Sequence, residues 1–299
     1  MLAGCGQPSL TRDAPTARLH PQALSCGQAT VNWSGYTWTV RNSTGGLVGP
    51  GPNIFDPNNV CVDSSTGTMR LSLSNPGGQW RSAELTTQQS LGVGTYTWNM
   101  IGDFTTIDPN VVLGLFPYST VPPVGARSAD GFKEQDIEFA RWGVPGRGPI
   151  NYTVYPGTVM GQNTLTGDKQ SFHYEYAQSL SGTYTTHRMT RTATSVMIEG
   201  FHGHTTALSN RFRCVKFSAV NNAGSLILRT DVRIGSGALT TTTVNKGAGL
   251  SAADFISAES MPLHMNLWLF QGAAPRNGQT TSFSFTNFTF STTPVSSSC

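Results

Sequence analysis

From Val31 onward the chain is a succession of short runs in which apolar and polar side chains alternate, separated by Gly, Pro, Asn and Asp clusters. Tyr36-Thr37-Trp38-Thr39-Val40 alternates, as does Met69-Arg70-Leu71-Ser72-Leu73, and Thr95 to Met100 puts Tyr96, Trp98 and Met100 on one face. A period of two predicts half-buried strands. Val111 to Phe116 is an unbroken apolar run, short enough for a strand covered on both sides, and Leu226 to Ile234 and Met265 to Phe270 predict further strands. Between Phe283 and Phe290 the alternation slips one position near Thr286-Asn287 and resumes, as a β-bulge would make it do. Helical periodicity is limited to Ser251 to Ser260, enough for one or two turns, and Thr240 to Thr243 reads as an exposed strand or loop. With no fixed-period repeat and no composition break after residue 30, the expected fold class is all-β, a single sandwich or barrel over residues 29–299.

Composition narrows the picture. Only 12% of the 299 residues are charged, 10% are aromatic and the formal net charge is +3. That balance excludes a basic nucleic-acid face and the high-charge signature of disorder, and no apolar stretch reaches the roughly 18 residues of a membrane span. Residues 1–28 contain Pro8, Pro15 and Pro21 without periodic apolar positions and read as leader remnant and linker. Leu2-Ala3-Gly4-Cys5 is similar to a bacterial lipobox, which would make Cys5 a lipid anchor, although only four residues precede it. An exported protein is expected, secreted or lipid-anchored at the cell envelope, and a monomer. Cys26, Cys61, Cys214 and Cys299 allow three pairings or four buried free thiols; Cys26 with Cys299 suits terminal strands lying side by side.

Candidate chemistry concentrates in Phe132-Lys133-Glu134-Gln135-Asp136-Ile137-Glu138-Phe139-Ala140-Arg141-Trp142. Read as a strand, it places Glu134, Asp136 and Glu138 on one face, with Trp142 following, and sends Ile137 and Phe139 into the core. Sixteen acids in the whole chain make three in strict alternation a poor match to chance. Adjacent acids on one sheet face repel each other and destabilise it unless they serve a purpose. Glu134 and Glu138 lie about 13 Å apart at Cα by strand rise. Glutamate side chains leaning together could bring the carboxyls to about 5–6 Å, near the separation used by retaining glycosidases. An acidic neighbour would raise the pKa of the general acid. The competing readings are an acidic surface stripe or a cation site; for calcium, one strand is a thin ligand set.

Glu134-Gln135-Asp136-Ile137-Glu138-Phe139 resembles the E-x-D-x-E strand of glycoside hydrolase family 16. Trp80-Arg81-Ser82-Ala83-Glu84 with Leu91 to Tyr96, Val111 to Tyr118, and Met265-Asn266-Leu267-Trp268 resemble further segments of that family in the same order. The resemblance spans most of residues 33–292. It implies a jelly-roll sandwich of two curved antiparallel sheets, as in concanavalin A-like lectins and glucanases, with a polysaccharide across the concave sheet. It also implies Glu134 as nucleophile, Glu138 as general acid/base and Asp136 assisting both. Glu84, Phe116, Tyr118, Trp142 and Trp268 would line the cleft, although the apolar strand around Trp268 equally suits the core. The spacing resembles the regular-strand subtype rather than the E-x-D-x-x-E of laminarinase-like members.

One segment departs from the pattern. Where the family shows H-x-F-x-W, this chain has His187-Arg188-Met189-Thr190-Arg191, and Arg191 there would either bind a carboxylate or sulfate on the sugar or be solvated. His202-Gly203-His204 is expected to face solvent rather than a metal. No phosphate-binding Gly loop or G-x-S-x-G elbow occurs, so no cofactor is expected, with a structural calcium left open. The expected activity is retaining, endo-acting hydrolysis of a β-linked polysaccharide such as a β-glucan. The alternatives are a non-catalytic lectin-like module and a transglycosylase of the same family.

Overall fold

The computed structural model describes residues 24–158, 170–295 and 298–299. The lipobox-like Cys5 lies outside the described residues. In chain order the first strands are β1 Ser25–Cys26, β2 Thr30–Trp33, β3 Tyr36–Val40, β4 Val60–Asp63, β5 Thr68–Ser72, β6 Ala83–Leu91, β7 Gly94–Ile101, β8 Val111–Pro117 and β9 Gln135–Ala140. There follow β10 Ile150–Val154, β11 Phe172–Tyr176, β12 Tyr184–Arg191, β13 Ser195–His202, β14 Arg211–Asn222, β15 Ser225–Ile234, β16 Leu239–Gly247, β17 Met261–Leu269 and β18 Ser282–Ser291. One four-residue helix, α1 Ala252–Phe255, occupies part of the segment expected to turn, its first turn fastened by the Ser251 N–H donating to Asp254 Oδ2 at 2.8 Å.

The strands form two antiparallel sheets, one of ten in the order β1-β4-β5-β18-β7-β12-β13-β14-β15-β16 and one of eight in the order β11-β10-β9-β8-β17-β6-β3-β2. The architecture is an all-β jelly-roll sandwich. Alternation decides what lies between the sheets: Trp38, Tyr96, Trp98, Met100, Leu113, Ile137, Phe139, Met265 and Phe285 are all completely buried in one core. The slip in the last strand is a bulge, because pairing with β7 shifts register between Phe285 and Asn287. That single extra residue lets Phe283, Phe285 and Phe288 all be buried in the core.

Two expectations about the chain ends are corrected. The boundary set at residue 28 falls inside the sheet, since Ser25–Cys26 already pairs with β4. Too short for a readable period, this strand is identified only by its partner. The pairing of Cys26 with Cys299 is replaced by Cys26–Cys61 and Cys214–Cys299, with Cα atoms 4.2 and 5.5 Å apart. Cys26 sits directly opposite Cys61 across the β1–β4 pair, whereas Cys299 packs with Met197 and Cys214. Cross-strand register, which the sequence leaves free, decides which thiols meet.

Candidate active site

Odd positions of β9 point into the core and even positions point to the outer face of the eight-stranded sheet, where Glu134, Asp136 and Glu138 gather. Glu134 itself precedes the strand. Lys133 before it has φ +64°, a left-handed conformation uncommon for a residue with a Cβ. That turn is pinned from both sides: the Lys133 N–H donates to Pro156 O at 2.6 Å, and the Lys133 ammonium meets Glu259 at 2.5 Å. The Glu134 carbonyl accepts from the Tyr155 N–H at 2.9 Å, fixing the start of the acidic run against the chain just after β10. Behind the acids lies Gln135, fully buried, whose side chain accepts from Arg191 Nε at 2.7 Å and donates to Ser257 O at 2.9 Å.

Strand register builds the rest of the surface. Asn151, Glu138, Gly114, Asn266 and Glu84 stand directly opposite one another across β10, β9, β8, β17 and β6. Gly114 leaves a gap in this row: a Cβ there would lie 2.6 Å from Asn266 Oδ1. Glu84 accepts from Arg41 Nη1 at 2.6 Å and lies 3.2 Å from His264 Nδ1. Burial alone would lift its carboxyl pKa, but the His264 hydrogen bond and the Arg41 cation outweigh it, and Glu84 stays below the usual range. His264 in turn contacts Thr86 Oγ1 at 3.0 Å and stacks on Phe116, with ring centroids 5.2 Å apart. Tyr118 packs edge-on against His264 and donates its hydroxyl to Asp130 at 3.2 Å.

The three acids titrate as a group. Asp136 is 2% exposed, and burial first, then the Glu134 and Glu138 carboxylates, push its pKa well up. It therefore keeps a proton and shares it with Glu134, so Asp136 donates and Glu134 accepts. Burial lifts Glu134 to about 7 against that hydrogen bond, and burial with the charge of Glu134 lifts Glu138 to about 8. Burial raises all three carboxyls, and the Asp136 hydrogen bond holds Glu134 below Glu138, so that of the two glutamates Glu134 loses its proton first. Asp136 Oδ1 and Asn266 Oδ1 are buried with no partner among the described residues, leaving acceptors available on this face.

Most of the expected residues meet here. Glu84, Phe116, Glu134, Asp136, Glu138 and Trp268 all lie on the outer face, with Tyr118 and Trp142 at its borders. Trp268 is not in the main core; it packs with Phe55, Val112 and Ala140 in a separate cluster on this face. Trp142 leans on it, 6.4 Å between centroids, and donates Nε1–H to Asn151 at 3.1 Å. Its φ of +51° is exceptional for so bulky a side chain and turns the indole back over the sheet.

Arg191 is the correction. It is completely buried between the sheets, where it donates to Gln135, the Tyr96 hydroxyl and the carbonyls of Leu91, Gly92, Ser257 and Glu259. No surface remains for a sugar anion. As an odd residue of β12 it follows His187 and Met189 into the core, and the guanidinium is tolerated because its donors are satisfied.

Sequence reading passed over Arg41, Asn151 and His264. His264 was within reach of it, because His264, Asn266 and Trp268 alternate along β17 as Glu134, Asp136 and Glu138 do along β9. Arg41 and Asn151 carry no local signal; pairing alone brings them in. Among the described residues no group of three His, Cys, Asp or Glu side chains is arranged to hold a metal ion.

No family model and no curated protein matches the chain. Solved structures do. The β-glucanase of Bacillus licheniformis is 17% identical, with 87% of this chain and 96% of that one aligned at a TM-score of 0.51. A glycoside hydrolase family 16 endo-glucanase from Bacteroides ovatus is 12% identical over 85% and 94%, at 0.52. An immunostimulatory antigen and pseudo β-1,3-glucanase of Mycobacterium tuberculosis is 13% identical over 85% and 91%, at 0.51. These likenesses are of fold, and with the two-sheet topology they give the chain the jelly-roll fold of the glycoside hydrolase family 16 β-glucanases.

Proposed function

We propose that the protein is a retaining, endo-acting glycoside hydrolase that cleaves a β-linked polysaccharide. The observation that carries this reading is the gathering of Glu134, Asp136 and Glu138 on one sheet face, with Glu138 in register with Gly114, Asn266 and Glu84 across the neighbouring strands and raised above Glu134 by burial and by the Glu134 charge. In the first step Glu134 forms a bond to the anomeric carbon as the glycosidic C–O bond breaks, and Glu138 gives its proton to the departing oxygen. In the second, Glu138 takes a proton from water, the water oxygen bonds to the anomeric carbon, and Glu134 leaves as carboxylate. Asp136 follows the charge of Glu134 through their shared proton. Glu84 and Asn266 offer hydrogen-bonding oxygens to sugar hydroxyls, and Trp142 and Trp268 offer ring faces to sugar C–H groups. A row of such groups crossing five strands suits an internal stretch of polymer. The two disulfides support export to an oxidising compartment.

The likeness to a pseudo-β-1,3-glucanase favours one other reading, a glycan-binding module without turnover. Reducing-sugar release across mixed-linkage β-glucan, β-1,3-glucan, xyloglucan, agar and carrageenan separates the two, with Glu134→Gln as control. Release with retained anomeric configuration in the first product, abolished by the substitution, is the expected result. Undiminished release by Glu134→Gln would remove Glu134 from the mechanism, and retention of the protein on a polymer without release would favour the binding module. Longer products on adding oligosaccharide acceptors would make it a transglycosylase.

A further inference from the structure

The ten-stranded sheet extends past the eight-stranded one, and the overhang forms a groove that the reaction above does not use. Its volume is about 550 Å³, within the roughly 300–1,000 Å³ of small-molecule sites. The floor is the edge strand β11, through His173 and Tyr174, and the wall is the β15–β16 hairpin, through Thr230, Val232, Thr240 and Thr242. Val232 stands opposite Thr240 and Thr230 opposite Thr242, so these four side chains share one face of the hairpin. Thr241 points to the other face, where its hydroxyl donates to Asp231 at 2.5 Å. The hydroxyls of Thr230, Thr240 and Thr242 make no hydrogen bond to another described residue. None of the nine described lining residues is Asp, Glu, Lys or Arg. Free hydroxyls, an aromatic edge, aliphatic groups and no fixed charge are the chemistry that receives an uncharged polyhydroxylated chain.

One lining residue, His173, lies on the face of the eight-stranded sheet that carries the acids, while Tyr174 and the hairpin side chains face the space between the sheets at its edge. Thr153 of β10 stands opposite Asp136 on one side and His173 on the other, and its hydroxyl meets His173 Nδ1 at 3.1 Å. Two strand spacings put His173 about 10 Å from Asp136, so a ligand reaching from the acids to the groove must be longer than a single sugar. We propose that this groove is a binding site for a neutral polysaccharide, taking the part of the chain that runs beyond the carboxylates over the edge of the eight-stranded sheet. The proposal rests on the glycosidase reading for its direction, but the groove can be tested apart from turnover.

The test is the double variant Thr240→Lys/Thr242→Lys, which fills the groove with charge while leaving the acids untouched; lysines on an exposed edge strand are compatible with the fold. On the best soluble neutral polymer of the panel KM should rise at least fivefold, while kcat/KM on a nitrophenyl glycoside of the matching disaccharide stays within twofold. Equal polymer KM in an active wild type and variant overturns the groove and spares the hydrolase. Affinity electrophoresis through mixed-linkage β-glucan, laminarin and xyloglucan gives the second readout. Retardation of an inactive wild type that disappears in a variant of unchanged melting temperature supports the groove and sinks the hydrolase. A wild type neither active nor retarded overturns both.

Discussion

Glu138 is where a single residue most directly links protonation to stability. Burial and the charge of Glu134 hold its carboxyl near 8 in the folded protein, above the value of a free glutamate. The folded state therefore favours the protonated form. Its contribution is fully present below the unfolded pKa and is lost as pH rises through about 8. Glu138→Gln, which cannot ionise, should melt with the wild type at pH 4 and several degrees above it at pH 9, on a scale of about 2–4 °C per kcal/mol recovered. Matching curves at both pH values would mean Glu138 is not held protonated. Activity should follow a bell whose alkaline limb lies near 8 and whose acid limb reports protonation of the Glu134–Asp136 pair, with both limbs macroscopic properties of the cluster. The opposite case is Arg191, identical in kind to many surface arginines yet enclosed by six acceptors. Its local sequence predicts a cleft residue, and only its position on β12 makes it a core one.

Among the elements, β9 was legible because its alternation is strict and its polar positions are chemically distinctive, whereas of β17 only the part from Met265 was predicted, its start at Met261 with His264 being missed. β8 was legible for a different reason, its unbroken apolar run, and every one of its residues is buried. β1 was not, since two residues have no period. Gly114 on β8 shows what an element contributes beyond its pattern. It faces outward between Glu138 and Asn266, so a methyl group there would push the Asn266 amide aside rather than disturb the core. Gly114→Ala should cost about 1–3 kcal/mol of stability, the scale of overpacking a filled position, while raising KM severalfold on polymer. An unaltered KM would place the sugar chain away from this row.

At the scale of the whole molecule, two covalent links tie distant parts of the chain into the ten-stranded sheet. Cys26–Cys61 spans 35 residues and Cys214–Cys299 spans 85. Loop-closure entropy assigns them at most about 4 and 5 kcal/mol, so Cys214→Ser should destabilise more than Cys26→Ser in urea unfolding of otherwise oxidised protein. The reverse order would show that local packing, not chain entropy, governs their effect.

Local pattern by itself determined the all-β class, eight of the eighteen described strands, the bulge in β18 and the acidic face of β9, because a period of two is a property of neighbours in the chain. It could not determine what stands beside what. The disulfide partners, the Glu84–Arg41–His264 cluster, the burial of Arg191 and the groove beyond β11 depend on register and on the unequal lengths of the two sheets. Those are set by the packing of side chains far apart in sequence, and only the tertiary structure decided them.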